Sequence, residues 1–171
     1  MSKIYIKNLK YVVSDEKDPT AVDLITAFDA ATVKTCHEEG GVLEIEPHLL
    51  KQVTSDSQVP TEVFLAGNNI TGKAVVISNT LEDLATQLNT SVTNDAITIA
   101  VKPTVVESLP NRAIMFETDL LGQTNNTETY ILTRVKFSGK LSEKFNNKDK
   151  WYLPIEFFAT TESKLQINQK A

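Results

Sequence analysis

One cysteine, two histidines and no long apolar run set the first limits on this 171-residue chain. A single thiol, Cys36, excludes any internal disulfide and fits folding in a reducing compartment. His37 and His48 fall short of the three or four convergent ligands that a metal centre takes, and neither lies in a recognised ligand pair. No apolar stretch approaches the ~20 residues of a membrane span. The segment Met1 to Lys7 lacks both an apolar core and a small-residue cleavage site, so no secretory leader is expected. The glycosylation-like triplets beginning at Asn69, Asn89 and Asn125 are then chance matches. Positive charge is scarce as well: 17 Lys and Arg against 22 Asp and Glu leave a net charge of -5, which argues against a dedicated nucleic-acid grip.

What is present is an ordinary globular composition, 41% hydrophobic and 23% charged, on a chain long enough for one domain with a core. Phe, Val, Ile and Thr fall in short runs that favour strands. Two strand-like pieces lie within Ile4–Val13. A helix is expected to open after Asp18-Pro19-Thr20, with Val22, Leu24, Ile25 and Phe28 as its apolar residues. Gly41–Thr54 reads as one strand or a broken pair, and Pro47 marks an edge or a bulge within it. Further strands are expected over Glu62–Ala66, Ile70–Ser78, Ile97–Val101, Ala113–Glu117, Thr129–Phe137 and Trp151–Ala159. In Thr129–Phe137, alternation places Ile131, Thr133, Val135 and Phe137 on one face and Tyr130, Leu132, Arg134 and Lys136 on the other. In the last strand Trp151, Leu153, Ile155 and Phe157 share a face. Residues 80–88 form the clearest helix: Thr80 caps it, Asp83 sits in a capping-box-like position, and Leu81, Leu84, Ala85 and Leu88 form a stripe for core packing. Residues 161–171 read as a polar, mobile tail. With no βαβ rhythm, repeat or domain boundary, the expected fold is a mainly β single domain. It is an antiparallel barrel or sandwich of about eight short strands flanked by one helix.

Four constellations carry possible chemistry. Gly67-Asn68-Asn69-Ile70-Thr71-Gly72-Lys73 has P-loop spacing, but Ala74 replaces the hydroxyl that holds magnesium. Strand-forming Val75-Val76-Ile77 follows where a helix start is needed to hold phosphate. A loop connecting two strands is the better reading. Cys36-His37 is a conceivable dyad, but neighbours in a strand point to opposite faces. Glu44 and Glu46 lie on one strand face roughly 7 Å apart, a separation compatible with glycosidase carboxylates and equally with a solvated face. Lys140, Lys144, Lys148 and Lys150 make a basic loop without the aromatic interleaving that base stacking needs. No catalytic, cofactor-binding or metal-binding residue is therefore assigned.

The order of elements is more informative. Gly40-Gly41, the strand carrying Glu44, Glu46 and Pro47, Gly72-Lys73 entering a strand, and Thr80-Leu81-Glu82-Asp83-Leu84 resemble the major tail tube proteins of tailed bacteriophages. Tyr130–Gly139 followed by Trp151-Tyr152-Leu153-Pro154-Ile155-Glu156-Phe157 looks like the closing strand pair of that family. The resemblance covers roughly residues 31–160, and Asp15–Ala30 has no counterpart. It implies a structural virion protein of the tail, made in the host cytoplasm, with no reaction and no cofactor. Its partners would be further copies, in hexameric rings stacked into a tube, and other tail proteins: tape measure, completion proteins and, in a contractile tail, a sheath. DNA would pass through without specific binding, since an acidic wall repels phosphate. On that basis Glu44 and Glu46 are candidates for the lumen. Ser55 and Asp56, with Lys140, Lys144, Lys148 and Lys150, are candidates for contacts between rings. A virion β-sandwich that binds carbohydrate or a receptor is the alternative.

Overall fold

A computed structural model describes residues 2–13, 28, 33–54, 56, 59–60, 62–77, 80–101, 108–119, 127–140 and 152–170. Among these, eight strands and one short helix follow in order: β1 Ser2–Ile6, β2 Asn8–Val13, β3 Lys34–Gln52, β4 Glu62–Ile77, α1 Leu81–Gln87, β5 Arg112–Asp119, β6 Thr127–Phe137, β7 Tyr152–Ala159 and β8 Leu165–Lys170. Every pairing is antiparallel. The mainly β class with a flanking helix is thus as expected.

The sheet closes on itself. β2, β5, β6, β7, β4 and β3 pair in succession, and β3 returns to β2 through Asn8↔Thr35 and Leu9↔Lys34. The Cys36 amide donates to the Lys7 carbonyl at 2.9 Å across the same seam. Closure removes most free edges. β1 continues the line of β2 and lies along β3, and β8 lies along β6 beyond the end of β7. Residues 161–171, expected as a mobile tail, therefore include a paired strand. The turn before β8 is tied to β6: the Thr133 amide donates to the Lys164 carbonyl at 3.1 Å, and the Ser163 hydroxyl accepts from the Arg134 amide at 3.1 Å.

The barrel interior holds Leu9, Leu43, Val76, Ile114, Phe116, Leu132, Val135, Phe137 and Phe157, all shielded from solvent. Phe116 stacks on Tyr130 with ring centroids 5.2 Å apart, and Phe137 meets Phe157 edge to face at 6.3 Å. Gly72 is required here, because a Cβ would sit 2.2 Å from the Phe157 ring. A second cluster of Phe28, Ala113, Met115 and Ile131 covers the outer side of β5 and β6. Phe28 is helical and buried; the rest of the expected Val22–Phe28 helix lies outside the described residues.

Three further expectations need correction, and one gains a second role. Gly67–Lys73 is not a loop between strands but the middle of one continuous strand, β4, in register with β3 from Gly72↔Leu43 to Gly67↔His48. The face assignment along β6 also fails. Ile131 belongs to the outer cluster, whereas Tyr130, Leu132, Val135 and Phe137 all face the interior. The cause is a register shift opposite Arg112/Ile114, where β6 takes one extra residue and its alternation slips. Ile97–Val101 forms no strand. The helix runs Leu81–Gln87 with its Thr80 cap accepting from the Asp83 amide at 3.3 Å, yet Asp83 is far more than a cap partner. It is buried, receives the Tyr11 hydroxyl at 2.7 Å and pairs with Lys34 at 2.7 Å. Burial, and then the Asp83 carboxylate, push the Tyr11 phenol far above its ordinary pKa. The helix is thereby fastened to β2 and the start of β3, while Asn89 reaches the Phe137 carbonyl at 3.0 Å at the end of β6.

Candidate assembly surface

β3 and β4 outrun the barrel. β1 covers β3 only as far as Ile45, and β7 covers β4 only from Thr71 onward. Beyond these points Glu46–Gln52 and Glu62–Asn69 pair with each other, and no third strand lies beside them among the described residues, making a two-stranded arm. Seven residues at strand rise give it a reach of about 23 Å. Pro47 sits where the outer edge of β3 needs no donor, as expected for an edge position. A register shift follows between His48 and Leu49.

The arm is apolar on both faces. Register pairs Leu49 with Leu65 and Lys51 with Val63 on one face; it pairs Leu50 with Phe64 and Gln52 with Glu62 on the other. Leu50 is 54% exposed, Phe64 51%, Val63 53% and Leu65 61%. A lone two-stranded ribbon is at best marginally stable in water, and its unpaired edges invite further strands. This is where large aliphatic and aromatic side chains meet solvent in number.

The second feature is a recess of about 530 Å³ on the outer wall of the barrel. One row of register partners crosses it from β1 to β7: Tyr5, Val42, Lys73 and Glu156. Val75 and Pro154 continue the apolar floor, and Lys3 and Lys140 stand at its margin. Tyr5 is 72% exposed. Lys3 pairs with Glu44 at 3.0 Å and Lys73 approaches Glu156 at 4.0 Å, both partly solvated. The ammonium of Lys140 has no partner among the described residues.

The residues singled out from the sequence divide between these places. Asp56 lies exposed at the arm tip, and Ser55 beside it is outside the described residues. Lys140 lines the recess, whereas Lys144, Lys148 and Lys150 are outside the described residues. Glu44 and Glu46 share the outer face of β3; Glu44 is committed to Lys3, and Glu46 is exposed at the base of the arm. Cys36 is buried, which pushes its thiol up to about 11 and leaves it protonated at neutral pH. No group of three or more His, Cys, Asp or Glu converges on a metal position among the described residues. None of their helices is long and apolar enough to cross a membrane. Sequence reasoning passed over Leu49, Leu50, Val63, Phe64 and Leu65. Their signal is adjacency: consecutive apolar residues in a strand leave one face to be buried by something other than its own core. No family model matches the chain, and no curated protein matches it.

Proposed function

We propose that this protein is a structural virion component whose copies assemble into stacked rings forming a phage tail tube, a conduit for DNA. The observation that carries the reading is the arm: a ribbon with unpaired edges and apolar residues on both faces, projecting from a closed barrel. The barrel itself needs no partner, while the arm does. Contacts of modest area, repeated around a ring and along a stack, give a durable assembly by linked binding. The order of strands, glycines and capped helix that resembles tail tube proteins supports a tail tube as the assembly. Of the two carboxylates expected at the lumen, Glu46 is the better suited, since Glu44 is neutralised by Lys3.

The test is direct. Purified protein imaged by negative stain, alongside a sedimentation series over concentration, is expected to show rings or tubes. A variant in which a two-residue turn joins Ile45 to its register partner Ile70 is expected to remain monomeric. Monomers from the intact protein at every concentration would defeat the reading. Tubes formed equally well without the arm would remove its support. In assembled particles Glu46→Lys is expected to slow DNA ejection; an unchanged rate counts against a lumenal Glu46.

A further inference from the structure

We propose that the outer-wall recess receives the arm of a neighbouring copy, so that copies link head to tail; this placement rests on the assembly reading above. The two surfaces match in size, polarity and charge. A recess of about 530 Å³ with a floor of Val42, Val75 and Pro154 accommodates a pair of large apolar side chains. The arm from Glu46 to Asn69 carries Glu46, Asp56 and Glu62 against Lys51, a net charge of -2. The recess has Lys3, Lys73 and Lys140 against Glu156, and it stays positive even when Glu44 is counted with it.

Chemistry also selects the face. The side with Leu49, Leu65 and Val63 includes the cation Lys51, which the lysines of the recess would repel. The side with Leu50 and Phe64 includes Glu62 instead. Seated in the recess, Phe64 lies against Tyr5 and Lys73, and Glu62 meets the ammonium of Lys140. Aromatic contact and a cation over a ring each favour this placement.

The arm cannot fill the recess of its own chain. Val42 and Leu50 are eight residues apart on one continuous strand, about 26 Å at strand rise. Donor and acceptor are therefore different places on each copy, and such heterologous contacts propagate into rings or filaments.

Cysteine crosslinking of the full-length chain tests the contact. In a Cys36→Ala background, Tyr5→Cys combined with Phe64→Cys is expected to give a ladder of covalent oligomers on mild oxidation. Tyr5→Cys with Leu49→Cys, on the opposite face, is expected to crosslink at least tenfold less. Independently, Glu62→Lys is expected to weaken association at least tenfold in sedimentation, and adding Lys140→Glu to restore it. Rings or tubes that form without the Tyr5–Phe64 ladder overturn this docking and leave the tube reading standing. Covalent dimers with no larger species overturn the head-to-tail link. A chain that stays monomeric at all concentrations overturns both.

Discussion

The same two strands have opposite fates at their two ends. In the barrel, β3 and β4 each have a neighbour on both sides, and Leu43 and Val76 are fully buried. In the arm each has one neighbour among the described strands, and Leu50 and Val63 stand more than half exposed. The residue types barely differ. What differs is the company: in the barrel, apolar side chains meet β2, β5, β6 and β7 across the interior, and in the arm, among the described residues, they meet only the facing strand of the same ribbon. Strand-forming tendency alone does not separate a wall from a projection. The arm keeps its register because it is rooted in a wall whose register is already set.

The sharpest break in this comparison is one substitution made twice on one strand. Leu43→Ala is expected to cost about 4 kcal/mol in urea unfolding, through lost burial and the cavity left behind. Leu50→Ala is expected to cost less than about 0.5 kcal/mol in the monomer while weakening assembly. Similar costs at both positions would mean that the arm packs within its own chain. Next in size is Asp83→Ala, expected to cost about 3 kcal/mol because the mostly buried Lys34 ammonium loses its partner and the Tyr11 hydroxyl its acceptor. Unfolding followed by far-ultraviolet dichroism gives the value, and a loss under 1 kcal/mol would detach the helix from barrel stability.

A smaller effect depends on pH. Burial raises the Cys36 thiol from its ordinary value near 9 to about 11. A raised folded-state value means that the folded chain holds the proton more tightly. The associated stability is complete below about 9 and is lost as pH rises toward and through 11. Unfolding free energies at pH 8 and 10.5 are expected to differ by about 2 kcal/mol more in the native sequence than in Cys36→Ala. The same alkaline loss in both proteins would assign it elsewhere. Smallest of all is the thermal effect of removing the arm. With a turn joining Ile45 to Ile70, unfolding is expected to shift by no more than about 1 kcal/mol. A large drop would make the arm part of the barrel's own support.

Much of the barrel was legible in the chain. Period-two runs located most of its strands, and Thr80 announced the helix, because each signal acts over a few neighbouring residues. The misses arise where a distant partner decides. Gly72 looks like a break until Phe157 is known to press against it from β7. The slip in β6 depends on its register with β5, which local alternation does not encode. Leu165–Lys170 is polar, yet it becomes a strand because β6 offers an unpaired edge there. Asp83 looked like a cap residue, and its partners Tyr11 and Lys34 are far away in sequence. On the candidate surface, Asp56 and Lys140 fell on the arm and the recess, but the apolar residues of the arm drew no reading beyond strand. An apolar stripe has the same spacing whether its own chain or another copy covers it.

The unbroken passage of β3 and β4 from wall to arm has a mechanical consequence. Tension applied to the arm tip along its strands travels through covalent backbone straight into the barrel. There the ladders joining β3 to β1 and β4 to β7 lie crosswise to the pull, so their hydrogen bonds are loaded together in shear rather than peeled one by one. A copy gripped by its arm is held as a rope is held by its own fibres, and the weak link under load is the grip, not the protein.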